Sequence, residues 1–343
     1  MTLPETTRPT RGVPIAPPTR QGRVASVPVG IRALLTSQYI GVLGVLVIAV
    51  VVLALTQPLF LTADNFVNIA SSQASLLVVA VGLTFVMLVG GIDLSIGGVM
   101  ALGSIALWAM LGAGAPPVVA ALLVVAGGLV VGGSTNGGLI GVAGLSFLVV
   151  TIGSASVFRG LANVWSGGQS QTVYTHSWLV KLGSGTWAGL PYLVWISMLV
   201  FAVSLLVLRY SGYGRMIYAT GGNPEAARLA GIPTAAIRVS VYTISGGLAA
   251  LAALMDTSRL TSANPNAGLG IELTAGAAVL LGGTSFMGGR GSVVGTLLGV
   301  LFLGVLSNGL VLAGISSFWG AVVSGAVLIV AIGIDRLRAG GGT

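Results

Sequence analysis

Apolar residues in this chain gather into long blocks separated by short polar turns. Ten blocks stand out: 39–56, 72–90, 95–112, 117–134, 143–162, 191–208, 239–255, 273–283, 293–313 and 319–334. A helix needs about 20 apolar residues to cross the hydrocarbon, fewer where neighbouring protein shields it. The block 273–283 is short, and those from 72 to 162 are broken by Gly. Such breaks are tolerated only where other helices or a water-filled cavity satisfy the freed backbone. The pattern predicts an all-α polytopic membrane protein of about ten transmembrane helices, some broken or short. Residues 1–38, rich in Pro, Thr and Arg, hold no apolar run and read as a disordered cytosolic tail. Residues 39–335 form the transmembrane domain, and 336–343 read as a cytosolic C-terminal tail.

A weak internal repeat runs through the blocks. Leu88-Val89-Gly90-Gly91 precedes Gly97-Gly98, and Leu280-Leu281-Gly282-Gly283 precedes Gly288-Gly289. Each apolar helix ends at a Gly pair, makes a polar turn and resumes. Paired interruptions are the trace of an internally duplicated transporter; chance similarity among Gly-rich helices explains them equally well.

Composition agrees. Charged residues make up 6% of the 343 residues, against about a quarter in a soluble domain, so the chain cannot cover a water-facing surface. The net charge of +8 is explained by position. Five tail arginines, Arg209, Arg215, Arg228 and Arg238 in one loop, Arg290 in another, and Arg336 and Arg338 after the last block account for 12 of the 15 basic residues. All fall on one side of an even-numbered set of spans, which the positive-inside rule places in the cytosol with both termini. The basic excess records topology, and no nucleic-acid partner is implied.

The chemistry the chain lacks narrows its class. With no Cys there is no disulfide and no thiolate metal ligand. A Walker A loop needs G-x-x-x-x-G-K-[ST], yet the one Lys is Lys181, followed by Leu182. His176 stands alone, which leaves no zinc motif and no triad with a spare His. No cofactor, metal or catalytic constellation is indicated, and an enzyme is disfavoured. Of seven acids only Asp93 lies deep between apolar blocks, a thin basis for ion coupling.

The most informative stretch is the cytosolic loop 209–238. Asn223 suits an N-cap, Pro224 the first helical position and Glu225 the positive end of the dipole. Glu225 to Ala230 then forms a short helix that Gly231 and Pro233 end. Its small residues suit docking into a partner's groove; a plain interfacial helix has the same look. Asp93 or Ser95 can cap the helix that restarts after Gly90-Gly91, or Asp93 can accept hydrogen bonds from a solute at the midplane. Glu272 reads as an acid in a first helical turn. Gly291, Gly295 and Gly299 read as a close-packing face.

These residues resemble the permease subunits of ribose-type ABC sugar importers. The loop from Gly212 to Pro233 resembles their coupling loop, and three further stretches match in order: Gly90–Gly97, Thr151–Gln169 and Gly282–Ser292 followed by Asn308-Gly309-Leu310 and Phe318-Trp319. The resemblance covers roughly 39–335. It implies a bacterial inner-membrane permease forming a pore with a second copy, as homodimer or heterodimer. It also implies a separate ABC ATPase subunit, an extracytoplasmic sugar-binding protein and a pentose- or hexose-like substrate. Arg215, Gly222, Asn223, Pro224, Glu225, Ala226, Arg228 and Gly231 would form the ATPase-coupling loop, with Asp93, Ser95, Glu272 and Asn308 as candidates for the translocation path. Departures fall at Thr274-Ala275, Gly144–Phe147 and Gly320, which loosens the choice of sugar. The alternative is a secondary, ion-coupled carrier of a small polar solute.

Overall fold

The computed structural model describes residues 40–173, 177–316 and 318–340. The N-terminal tail and His176 lie outside the described residues. Within them, thirteen α-helices follow in order: α1 (Ile40–Thr56), α2 (Ala63–Leu88), α3 (Ile96–Gly112), α4 (Pro117–Val131), α5 (Phe147–Ser166), α6 (Ser177–Ser184), α7 (Tyr192–Tyr210), α8 (Gly212–Gly222), α9 (Pro224–Leu229), α10 (Thr234–Leu260), α11 (Ile271–Leu281), α12 (Val293–Leu312) and α13 (Trp319–Gly340). A π-helical segment, Gly132–Val142, continues α4. Two-residue strands pair antiparallel: β1 (Gln171–Thr172) with β4 (Ser262–Ala263), and β2 (Thr186–Trp187) with β3 (Leu190–Pro191).

Six helical stretches are long and apolar enough to cross a membrane: α2, α4 with its π segment, α5, α7, α10 and α12. Four shorter apolar helices, α1, α3, α11 and α13, complete the ten expected from the sequence. At the centre lies α2, buried without interruption from Ala74 to Leu88. A helix apolar on every face is stable only with neighbours all round it, and α10, α12, α7 and α11 surround it.

Small residues set the helix spacing. A Cβ on Gly128 would lie 2.5 Å from both the Gly246 carbonyl oxygen and the Ala250 Cβ, so α4 and α10 meet backbone to backbone. Gly132, Gly137 and Gly141 extend the same contact along the π segment. Between α11 and α12, Gly299 leaves no room for a side chain against Ala278, and Gly282 none against Gly295. Two of the three glycines expected to form a packing face do so. Gly291 instead sits in the turn before α12 at φ +145°, against the Thr284 side chain.

Other departures from the sequence reading have local causes. The 209–238 loop holds two helices: Ser211 Oγ accepts from the Gly214 N–H at 3.0 Å and starts α8. The α10 helix begins at Thr234, ahead of the apolar block at 239, because Pro233 offers a fixed φ at its entry. Where a tail was expected from 336, α13 runs on to Gly340.

Adjacent glycines test the packing. A methyl group on Gly127 would meet nothing within 4 Å, whereas Gly128 is in backbone contact. Gly128→Ala should destabilise the purified protein by about 1–3 kcal/mol through overpacking, while Gly127→Ala should be neutral or gain up to about 1 kcal/mol of helix propensity. Thermal unfolding in detergent reads both, and equal midpoints would mean the two helices do not touch there.

Candidate functional site

The chain is interrupted twice by Gly-rich breaks, one between α2 and α3 and one between α11 and α12. In the first, Gly90 takes φ +78° and residues 91–95 lie outside both helices. Asp93 fixes this segment. Its Oδ1 accepts from the Ser95 N–H at 3.0 Å, the Ser95 hydroxyl at 2.6 Å and the Asn136 amide at 3.3 Å. Its Oδ2 accepts from the Ser245 hydroxyl at 2.7 Å. The Asn136 amide also donates to Ser95 Oγ at 2.7 Å, and the Tyr242 hydroxyl donates to the Ile92 carbonyl at 3.2 Å. Asp93, Ser95, Asn136 and Ser245 are all buried.

An enclosed carboxylate holding four donors is a brace. Asp93 ties the break to the π segment and to α10. Ser95 occupies the N-cap position of α3 but makes no capping bond of its own; its hydroxyl is committed to Asp93.

The second break is built from backbone. Gly283, Gly288 and Gly289 take φ +85°, +86° and +71°, conformations open to glycine without strain. The Ser285 N–H donates to the Arg290 carbonyl at 2.8 Å and closes the turn. The Gly289 N–H donates to the Leu88 carbonyl at 2.9 Å, joining the second break to the end of α2 at the first.

A third segment enters the same place. Gly221, in the last turn of α8, is buried against the Leu88 carbonyl and the Gly289 amide so closely that a Cβ could not fit. A Cβ on Gly289 would lie 2.7 Å from Gly222 Cα, and one on Gly288 2.7 Å from Gly90 N. The Tyr218 hydroxyl donates to the Gly291 carbonyl at 2.9 Å. Both breaks and the end of α8 therefore share one junction of bare backbone.

From that junction α9 projects. Asn223 Oδ1 accepts from the Ala226 N–H at 3.0 Å, Pro224 takes the first position, and Gly231 ends the helix at φ +84°. Ala227 alone of α9 is buried; Leu229 is 77% exposed. Arg228 pairs with Glu225 at 2.7 Å, and this bond holds the Glu225 carboxyl below its ordinary range. The pair is intact at neutral pH and is lost only as pH falls through that lowered range. Arg215 and Arg290 are exposed near the same end.

The remaining candidates are dispersed. Glu272, in the first turn of α11, has its Oε2 buried with no hydrogen-bond partner among the described residues. It leans with Arg159 over Gly97, where a Cβ would lie 2.6 Å from Glu272 Oε2 and 3.0 Å from Arg159 Nη2. Asn308 exchanges amide hydrogen bonds with Asn65 at 2.8 and 3.1 Å, clasping α12 to α2. Sequence reasoning missed Asn136, Tyr218, Tyr242 and Ser245; the one available signal was Asn136, a lone amide in the Gly-rich run 132–142.

Comparison with known proteins identifies the class. Residues 65–332 match the family model described as branched-chain amino acid transport system / permease component, and the chain belongs to that family. A ribose import permease of Bacillus subtilis is 42% identical over 85% of this chain and 91% of its own length. The ribose import permease of Escherichia coli K12 is 37% identical over 85% of this chain and 92% of its own. A D-allose transport system permease of the same organism is 35% identical over 83% and 87%. No solved structure matches the chain. It is thus a multi-pass permease component of an ABC importer, a transporter and not an enzyme, and the carrier alternative falls away.

The brace role of Asp93 is testable through a partner. Ser245→Ala takes one donor from an enclosed carboxylate, and a hydrogen bond to a charged group contributes about 1.5–3 kcal/mol. The variant should unfold at a lower temperature in detergent, while its residual uptake keeps the wild-type half-saturation concentration. Unchanged stability with a shifted half-saturation would make Asp93 a solute contact.

Proposed function

We propose that this permease imports a pentose- or hexose-like sugar as part of a larger assembly. An external binding protein delivers the sugar, a second permease copy completes the pore, and a separate ABC subunit hydrolyses ATP. The choice of sugar follows the relatives, named for ribose and D-allose at 35–42% identity, over the family description, which names branched-chain amino acids.

The observation that carries the coupling half is the placement of α8 and α9. Glu225, Ala226, Arg228 and Leu229 stand exposed on a capped helix whose root, Gly221-Gly222, rests on both helix breaks. A push on α9 by an ATPase would reach the end of α2 and the break after α11 through direct backbone contact. Arg290, adjoining Gly289 at the junction, supports placing this end in the cytosol, since it joins Arg209, Arg215, Arg228 and Arg238 there. Both termini then lie on the cytoplasmic side of a bacterial inner membrane.

Two sets of variants test this reading. Ala226→Trp should overfill the docking groove and Glu225→Lys should reverse charge at the contact. Uptake and transport-stimulated ATP hydrolysis should fall together, along with co-purification of the ATPase, at normal membrane levels. Exposed substitutions ordinarily shift stability by no more than about 0.5 kcal/mol, so uptake that survives both would refute α9 as the coupling element. Gly221→Val should separate the breaks from α8 while leaving α9 itself intact. The ATPase should then still co-purify but hydrolyse ATP with little uptake; normal uptake would show that the junction transmits nothing.

A further inference from the structure

A cavity of about 490 Å³ with a mixed polar and apolar wall lies between α2, the C-terminal part of α10, the loop after β4 and the start of α11. It sits within the ~300–1,000 Å³ range of small-molecule sites. Ser72 and Gln73 of α2, Asp256 near the end of α10, Asn264 and Asn266 of the loop after β4, and Thr274 of α11 supply its polar wall. Leu76 and Ile271 provide apolar surface beside them. Asp256 lies 22 positions beyond the start of α10 at Thr234, about 33 Å along the helix at 1.5 Å per residue. On the orientation proposed above, the cavity is therefore on the extracytoplasmic side.

The wall chemistry selects a ligand class. Hydroxyls and amides both donate and accept, and a carboxylate accepts from hydroxyls strongly. Asp256 Oδ1 accepts from the Ser75 hydroxyl at 2.7 Å, and Arg259 stands 3.9 Å from the same atom. Those partners position the carboxylate and balance its charge, while Oδ2 makes no hydrogen bond to the described residues. An inorganic cation would meet one acid beside a guanidinium, and the described residues hold no cluster of three metal-ligating side chains. A zwitterionic amino acid would compete with the Asp256–Arg259 pair for both of its charges. A neutral polyol needs neither charge and can use donors, acceptors and an apolar face together.

We propose that this cavity is a sugar-receiving site within the permease itself, taking a neutral ring of pentose or hexose size, with Asp256 Oδ2 accepting from ring hydroxyls. The proposal rests on the sugar-importer reading and adds that the membrane component selects its solute, independently of any binding protein.

Saturation-transfer NMR on the purified full-length permease, without ATPase or binding protein, tests it with D-ribose and D-allose as probes and L-leucine as comparator. At least one sugar should give transfer and L-leucine none. Asp256→Asn should weaken that binding at least tenfold. Asn266→Ala, at an exposed loop position, should weaken it measurably with an unchanged thermal midpoint, which separates loss of the site from misfolding. No transfer from either sugar overturns the site, as does transfer from L-leucine alone or binding that both variants leave unchanged. Uptake by the assembled importer is measured separately, so a missing cavity with intact ATP-dependent sugar uptake leaves the importer reading standing.

Discussion

The structure depends on backbone approaching backbone where the two helix breaks meet. A buried N–H or C=O left unpaired costs several kcal/mol, so a buried helix can be interrupted only where something else satisfies it. Here part of that demand is met between the two breaks: the Gly289 N–H reaches the Leu88 carbonyl at 2.9 Å. Such a bond needs the chains to come within van der Waals contact of each other's main chain. Gly221, Gly288 and Gly289 allow it, because any Cβ at these positions would collide with neighbouring backbone. The glycine content that sets this sequence apart is thus concentrated, in part, on a single mechanical requirement.

A second constraint is electrostatic. Asp93 has no cation near enough to pair with it among the described residues, and an isolated charge at this depth would be expensive. Four hydrogen bonds replace the missing counter-ion. They come from three chain segments, so the same bonds that make the carboxylate tolerable also lock the break, the π segment and α10 together.

What could be read from the sequence divides along the range of the interactions. The ten apolar helices were legible because each is a continuous apolar block, six of them of the length that bilayer thickness demands. The α9 helix was legible because Asn223, Pro224, Glu225 and Gly231 act within one turn of themselves. The α8 helix was not, since Gly212, Gly214, Gly221 and Gly222 oppose helix formation locally and are outweighed by packing on the breaks. The role of Asp93 stayed open for a related reason. Its deciding partners, Asn136 and Ser245, lie 43 and 152 residues away in sequence, and a single chain carries no record of such distant pairings. For Asn308 the clasp to Asn65, 243 residues away, was equally hidden.

The central helix connects the two ends of the molecule. Gln73 of α2 lines the polar cavity, and Leu88 at its other end forms the junction. Those 15 residues span about 23 Å of regular helix. Because α2 is buried continuously over Ala74–Leu88, it has little freedom to bend, and closely packed interiors transmit displacement instead of absorbing it. A shift imposed at Leu88 would therefore reappear at the cavity, while the glycines at 90 and 288–289 supply compliant points beside the rigid element. On the second side, α11 runs from the cavity at Thr274 to the other break at Gly282. One wall of the cavity thus ends on the junction that α8 presses against, and the other ends at the break that supplies Gly288 and Gly289 to that junction.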